Sequence, residues 1–339
     1  MSFNVNKKIA AVLLSLVFIS GCQSVDHIPS IDEMQGSSAD SRQYTLSDQY
    51  IEHRRQQKVL ATTQGHKIAY IDAGDGPVIV MLHGVPSSSW LYRKMISSLQ
   101  DGYRVIAIDL LGFGSSDKPK STETNYLATS QADYVEQVIT HLGVKNYSLA
   151  FHDMGGLVAW EMLDNHLAGR ASANIKNMIV LNTIVDKHGF NHPKLKKGVT
   201  TRIMSQSFSN QLSSSTALEM TFDNMGLTSN AELSESECNG YVIPMTEGNG
   251  DVLYDFYTSF DDARFARLKR QVGSLSTFNG GVLVLWGAED TVLTTTQIPV
   301  LQKAASIDDA NIHVFTDNAH FLQEEIPEVL NQHIRAFLN

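Results

Sequence analysis

The sequence predicts an α/β protein: a mostly parallel sheet covered by helices on both faces, with a helical insertion ahead of its last strands. Short apolar runs alternate with longer amphipathic stretches along residues 56–183 and again along 271–339. That is the rhythm of strand–helix–strand units, whose crossovers place helices over a parallel sheet. Several of the runs are continuously apolar, as strands buried on both faces are. Residues 184–270 are strand-poor and more polar, and are expected to fold as a helical cap between the two parts of the core.

In order along the chain, Lys58–Thr63 and His66–Asp72 read as a hairpin split by Gln64 and Gly65. Buried strands are expected at Val78–Leu82, Arg104–Asp109, Tyr147–Phe151, Ile175–Leu181 and Val282–Trp286, and a last strand at Asn311–Phe315. Helices are expected at Ser88–Leu99, Ser130–Leu142, Gly155–Asn165 and Glu325–Leu338.

The N-terminus has its own logic. Lys7 and Lys8 precede the apolar run Ile9–Ile19, which is too short to span a bilayer but has the length of a signal-peptide core. The run ends in Ile19-Ser20-Gly21-Cys22, which resembles the bacterial lipobox. That resemblance implies a signal peptide at 1–21, a lipidated Cys22 and a tether and N-terminal segment over 22–55. Gln23, where an Asp would favour inner-membrane retention, points to a cell-envelope lipoprotein on the outer membrane facing the periplasm. The only other cysteine is Cys238, so lipidation of Cys22 leaves no intramolecular disulfide. A net charge of −10 argues against a nucleic-acid partner, since phosphates need cations to neutralise them.

Ligands of open α/β sheets bind beyond the carboxyl ends of the strands, so the residues following each strand carry the chemistry. After Val78–Leu82 comes His83-Gly84-Val85-Pro86; after Arg104–Asp109, Leu110-Leu111-Gly112-Phe113-Gly114-Ser115-Ser116-Asp117-Lys118-Pro119. After Tyr147–Phe151 comes His152-Asp153-Met154-Gly155-Gly156, the strand–turn–helix pattern of a nucleophile elbow with Asp where Ser is usual. Gly287-Ala288-Glu289-Asp290 and Asn318-Ala319-His320 follow the last two strands. The order nucleophile, acid, histidine and these five motifs together resemble the α/β-hydrolase superfamily over residues 55–339. Within it they resemble the aspartate-nucleophile branch: epoxide hydrolases, haloalkane dehalogenases and mesoderm-specific-transcript relatives. The resemblance implies an α/β-hydrolase fold with Asp153, Asp290 and His320 as the catalytic triad and the backbone N–H groups of Val85 and Met154 as the oxyanion hole. Glu289 is the rival to Asp290 and reads as solvent-facing. The alternative acid position, Leu181-Asn182-Thr183, holds no carboxylate, while Ser115, Ser116, Asp117 and Lys118 read as turn residues.

An aspartate is ionised at neutral pH and suits displacement at an sp³ carbon, giving an alkyl-enzyme ester that a His-activated water then hydrolyses. Attack on an ester carbonyl would give a high-energy anhydride instead. The expected partner is therefore a small apolar electrophile. The halide clamp of the dehalogenases is missing: position 154 is Met, and Trp90, Trp160 and Trp286 are the only tryptophans. For an epoxide, Tyr241, Tyr254 and Tyr257 are candidate cap proton donors. Epoxide hydrolysis is favoured; haloalkane dehalogenation and a catalytically silent, lipid-anchored binding protein are the alternatives. No cofactor or metal is implied, because the histidines lack ligand spacing and the chemistry needs neither.

Overall fold

The computed structural model describes residues 47–191, 199–212, 227–228, 233–246 and 250–339, and its eight strands form one sheet. The strands are β1 (Lys58–Ala61), β2 (Lys67–Ala73), β3 (Val78–Leu82), β4 (Arg104–Ile108), β5 (Asn146–Asp153), β6 (Asn174–Thr183), β7 (Gly281–Gly287) and β8 (Ile312–Phe315). Their order is β1-β2-β4-β3-β5-β6-β7-β8. The β1/β2 and β2/β4 pairs are antiparallel, and every other pair is parallel. From β3 the chain steps to β4 on one side and then crosses to β5 on the other. That reversal opens a crevice beyond the carboxyl ends of β3 and β5, where Val85 and Asp153 sit.

Continuous apolar runs suit this sheet because both faces are covered. Successive side chains point to opposite faces, and each strand divides accordingly. Val80, Leu82, Ile106, Phe151, Val180 and Val284 join one core layer, while Ile79, Met81, Ala107, Ala150, Ile179 and Leu283 join the other. The first layer is closed by α3 (Ala128–His141), α4 (Gly155–Leu167), α8 (Asp262–Gly273) and α9 (Ile298–Ala305), the second by α2 (Arg93–Leu99), α10 (Leu322–Glu325) and α11 (Pro327–Leu338). The expected helix over Ser88–Leu99 is divided: a 3-10 turn at Ser89–Tyr92 precedes α2, and the Ser88 hydroxyl accepts the Trp90 N–H.

Ahead of β1, α1 (Asp48–Gln56) is docked rather than trailing. Ser47 caps it by accepting the Tyr50 N–H at 3.0 Å. Tyr50 and His53 meet the Trp90 ring edge-on at 5.2 and 5.3 Å, and His53 Nε2 hydrogen bonds with Ser89 Oγ at 3.0 Å. The rest of the predicted tether, with the signal segment and Cys22, lies outside the described residues.

Between β6 and β7 the described residues hold α5 (Val199–Leu212), α6 (Glu235–Thr246), α7 (Gly250–Thr258) and α8. α6 is tied to the segment after His320. Tyr241 donates to Glu324 at the start of α11's approach, and Arg93 donates to Glu324 and, at 2.8 Å, to Glu237. No helix among the described residues is long and apolar enough to cross a membrane.

Candidate active site

Asp153 ends β5 with φ 48°, a left-handed conformation that L-residues other than glycine rarely adopt. The register against β6 shifts between His152 and Asp153, and Thr183 Oγ1 donates to the Asp153 carbonyl at 2.7 Å. The turn needs small neighbours: a Cβ on Gly84 would overlap the Asp153 side chain, and one on Gly156 would overlap the Thr183 hydroxyl. These are the glycines of the His-Gly-Val-Pro and His-Asp-Met-Gly-Gly segments, so both motifs serve the same bend.

The Asp153 carboxylate is buried and accepts the Val85 N–H at 2.8 Å. Burial pushes its pKa up; His320 and the N–H groups of Val85 and Met154 pull it back only in part, so it stands above the usual carboxylate value. His320 follows β8 and places Nδ1 2.7 Å from Asp290 Oδ2. Burial presses the imidazole down, but the charge and hydrogen bond of Asp290, with Asp153 and Glu325 behind them, outweigh it and raise the pKa above 6.5.

Asp290 is held from four directions. Its Oδ1 accepts the N–H groups of Val292 and Leu293, both at 2.8 Å, and its Oδ2 accepts Asn182 Nδ2 at 2.7 Å beside His320. Glu289 is exposed. Asn182 marks the strand end where a carboxylate could also reach the histidine; here it is an amide whose oxygen accepts the Gly287 N–H at 2.8 Å. Such a role is invisible in a sequence, where only the missing carboxylate shows.

Two further histidines support the site and were not singled out by sequence. His152 Nε2 lies 2.8 Å from the His320 carbonyl oxygen and so donates to it; burial holds this imidazole well below its ordinary pKa. His83 Nε2 accepts the Leu110 N–H at 3.0 Å, which fixes the proton on Nδ1. The Asp109–Lys118 turn is scaffold: Asp109 accepts the N–H groups of Ser89 and Ser115, and Ser116 bridges Ala69 and Asp109.

The three candidate tyrosines part company. Tyr257 is buried within the field of Asp153, and burial together with that carboxylate raises its phenol well above 10. Tyr254 carries the Arg202 guanidinium over its ring at 4.2 Å. Tyr241 belongs to the opposite core layer and donates to Glu324, so it stands apart from Asp153. Tyr92, from the core, also feels Asp153, but its hydroxyl donates to the Leu82 carbonyl at 2.8 Å. All three tryptophans are fully buried with their indole N–H groups bonded to backbone carbonyls: Trp90 to Glu237, Trp160 to Ile184 and Trp286 to Leu293.

The family model for the alpha/beta hydrolase fold matches residues 77–327. The chain belongs to that family. It is 28% identical over 301 residues to the cis-3-alkyl-4-alkyloxetan-2-one decarboxylase of Xanthomonas campestris, covering 83% of this chain and 95% of the relative. It is 26% identical over 296 residues to epoxide hydrolase 3 of Xenopus tropicalis, covering 81% and 75%. A shorter stretch of 99 residues is 44% identical to a haloalkane dehalogenase of Mycolicibacterium paratuberculosis, covering 28% and 33%. Among solved structures, a tetrameric haloalkane dehalogenase from Paraglaciecola agarilytica superposes with TM-score 0.64 at 23% identity, covering 93% of this chain and 99% of that one. An esterase from Exiguobacterium antarcticum superposes equally well at 21% identity, so the superpositions speak to the fold. The named relatives are enzymes of this family, and the protein is an α/β-fold hydrolase.

Proposed function

We propose that Asp153 attacks an sp³ carbon of a small strained ring, an epoxide first, and that His320, oriented by Asp290, activates the water that hydrolyses the resulting alkyl-enzyme ester. In the first step one carboxylate oxygen bonds to carbon, the ring C–O bond breaks, and its electron pair takes the Tyr257 proton. In the second, water gives a proton to His320 Nε2 and attacks the ester carbonyl, whose developing oxyanion faces the N–H groups of Val85 and Met154. Collapse expels the second oxygen, which takes the proton left on the tetrahedral centre as Asp153 returns to its carboxylate; the diol departs and the proton held by His320 returns to the Tyr257 phenolate.

The observation that carries this reading is the contrast between Tyr257 and the tryptophans. A buried phenol of the first core layer, within the field of Asp153 and kept protonated by burial, suits a leaving alkoxide. The indole N–H groups that would hold a halide are bonded to carbonyls. The test is intact mass of His320→Phe after exposure to epoxides and haloalkanes. A gain equal to a whole epoxide, abolished by Asp153→Ala, supports the reading. A gain equal to a haloalkane less hydrogen halide replaces it with dehalogenation, and no adduct together with no turnover by the unmutated protein leaves a binding protein on this scaffold.

A second reading is favoured by the near full-length relatives named as oxetan-2-one decarboxylases. Such a ring also offers Asp153 an sp³ C–O bond, with a carboxylate as the leaving group. The alkyl ester could then expel Asp153 as carbon dioxide departs, giving an alkene with no water consumed. Product analysis separates the two: a diol supports the first, an alkene with carbon dioxide the second.

We further propose a lipid anchor at Cys22, supported by the basic start, the apolar run and the Ile19–Cys22 segment. Metabolic labelling with an alkynyl fatty acid, lost in Cys22→Ala, is the check.

A further inference from the structure

The short helix α10 follows His320 closely and ends in two consecutive carboxylates, Glu324 and Glu325, that serve different neighbours. Glu324 is buried and neutralised. Arg93 and Lys94 Nζ, the latter at 3.0 Å, meet it, and the Tyr241 hydroxyl donates to it. The same two cations meet Glu237, so two positive charges stand against two negative ones.

Glu325 is half-buried, and no lysine or arginine contributes to its field. What it has is three N–H donors. Oε2 accepts Asn318 Nδ2 at 2.7 Å and the Ala319 N–H at 3.0 Å, and Oε1 accepts the Thr228 N–H at 2.8 Å. Every partner donates, as suits an ionised carboxylate, which only accepts. Asn318 and Ala319 are the two residues before His320, whereas Thr228 belongs to the insertion between β6 and β7. One side chain thus grips the loop of the histidine with one oxygen and the insertion with the other.

The charge of Glu325 has one cationic neighbour, His320 in its protonated form. Around that imidazole stand Asp290 in contact, then Asp153 and Glu325; the ring packed against it, His152, is kept neutral by burial. Esterification removes the charge of Asp153, so Asp290 and Glu325 are the carboxylates of this group left to stabilise the imidazolium that forms as water is activated. Burial raises the Glu325 pKa, with the three donors and His320 opposing. Loss of the Thr228 N–H would therefore weaken the ionised form.

We propose that Glu325 is a positioning residue: it seats the Asn318–His320 loop, fastens the insertion to that loop at Thr228, and holds a negative charge behind His320. This deepens the ring-opening reading, on which the part of Glu325 in ester hydrolysis rests.

NMR titration of the unmutated protein tests the shared grip without turnover. The Thr228 and Ala319 amide resonances should shift together, with one midpoint above 4.5, and neither should do so in Glu325→Gln. In that variant the His320 pKa should fall and the pH profile of ester hydrolysis should move to lower pH. The rate should drop about tenfold, part of the roughly 10²–10⁴-fold that a positioned base contributes. Glu325→Asp, which keeps the charge, should return the profile. Separate amide midpoints, a Thr228 amide that does not titrate, or a slower Glu325→Gln with its pH profile unmoved overturns the inference. If Glu325→Gln fails to fold, the amide midpoints of the unmutated protein still decide. A lowered His320 pKa with no electrophile trapped on Asp153 would keep the positioning role and discard the ring-opening reading; epoxide turnover with the His320 pKa unmoved would do the reverse.

Discussion

His152 donates from Nε2 to the backbone carbonyl of His320 at 2.8 Å, and the two imidazole centres lie 4.5 Å apart. The residue before Asp153 thus fixes the backbone of His320, so on the proposed mechanism the two chemical steps share one support. Replacing His152 with Ala is expected to lower kcat by about 10²-fold, the scale of a roughly 1 Å misplacement, with KM little changed. The alkyl-enzyme should accumulate in the variant, because hydrolysis rather than attack depends on His320. Mass spectrometry during turnover reads this directly; a rise in KM with kcat intact would mean His152 only packs.

Asp290 and Asn182 meet on the same oxygen that receives His320, which makes the carboxylate's position exchangeable in principle. Asp290→Asn should cost up to about 10⁴-fold in ester hydrolysis, as loss of the orienting acid does elsewhere. Adding Asn182→Asp should return at least about tenfold of it. No recovery in the double variant would mean that position 182 cannot reach the imidazole in a useful geometry.

The two steps should titrate separately. Attack needs ionised Asp153, whose pKa is raised by burial, so adduct formation should fall with a midpoint above 3.8. Ester hydrolysis needs neutral His320, so it should rise with pH. In the alkyl-enzyme Asp153 is no longer charged, which removes one of the groups that raise His320. The hydrolysis midpoint should therefore lie below the His320 pKa of the free protein, itself above 6.5 and measurable by NMR. The opposite order would show that Asp153 does not couple to His320.

Asp153 also bears on stability. Its folded pKa lies above the unfolded value of 3.8, so it contributes stability below that value and loses it as pH rises through the folded pKa. At neutral pH the ionised carboxylate is a cost, and Asp153→Asn should melt higher by on the order of a few degrees. The gain should shrink as pH falls through the folded pKa and vanish below 3.8, where both states carry the proton. An unchanged melting temperature at neutral pH would mean that the Val85 and Met154 N–H groups fully compensate burial.

Glycine replacement gives the sharpest structural test. Gly84→Ala places a methyl against the Asp153 side chain and Gly156→Ala one against Thr183. Both should fold poorly or lose adduct formation, whereas Gly143→Ala, with open space around it but a positive φ of 67°, should cost only modest stability. Thermal melts and adduct yield of the three variants separate a special bend from a general glycine effect.

The sheet was legible because its strands are buried on both faces and so read as unbroken apolar runs. The bend at Asp153 and the residues Asp290 and His320 were legible because each lies directly past such a run. His152, Asn182 and Tyr92 were not, since their partners come from the segment after β8, from β7 and from β3, and nothing local marks a side chain whose work is to hold another. Tyr241, Tyr254 and Tyr257 were indistinguishable as letters. What sorts them is which layer each inserted helix packs against: Tyr241 joins the second layer and donates to Glu324, whereas Tyr257 joins the first and lies in the field of Asp153. Helical periodicity gives a face but not the neighbour it meets.

The docked helix α1 decides where the chain can be cut. Tyr50 and His53 cover Trp90, and Gln57 donates to Asp109 at 2.9 Å, the carboxylate that orders the Ser89 and Ser115 backbone. Proteolysis ahead of Ser47 would leave these contacts intact. Proteolysis at Lys58 would bare an indole face and strip a donor from Asp109, loosening the turns that carry the first half of the crevice. Nine residues that look like the end of a leash are part of the building it is tied to.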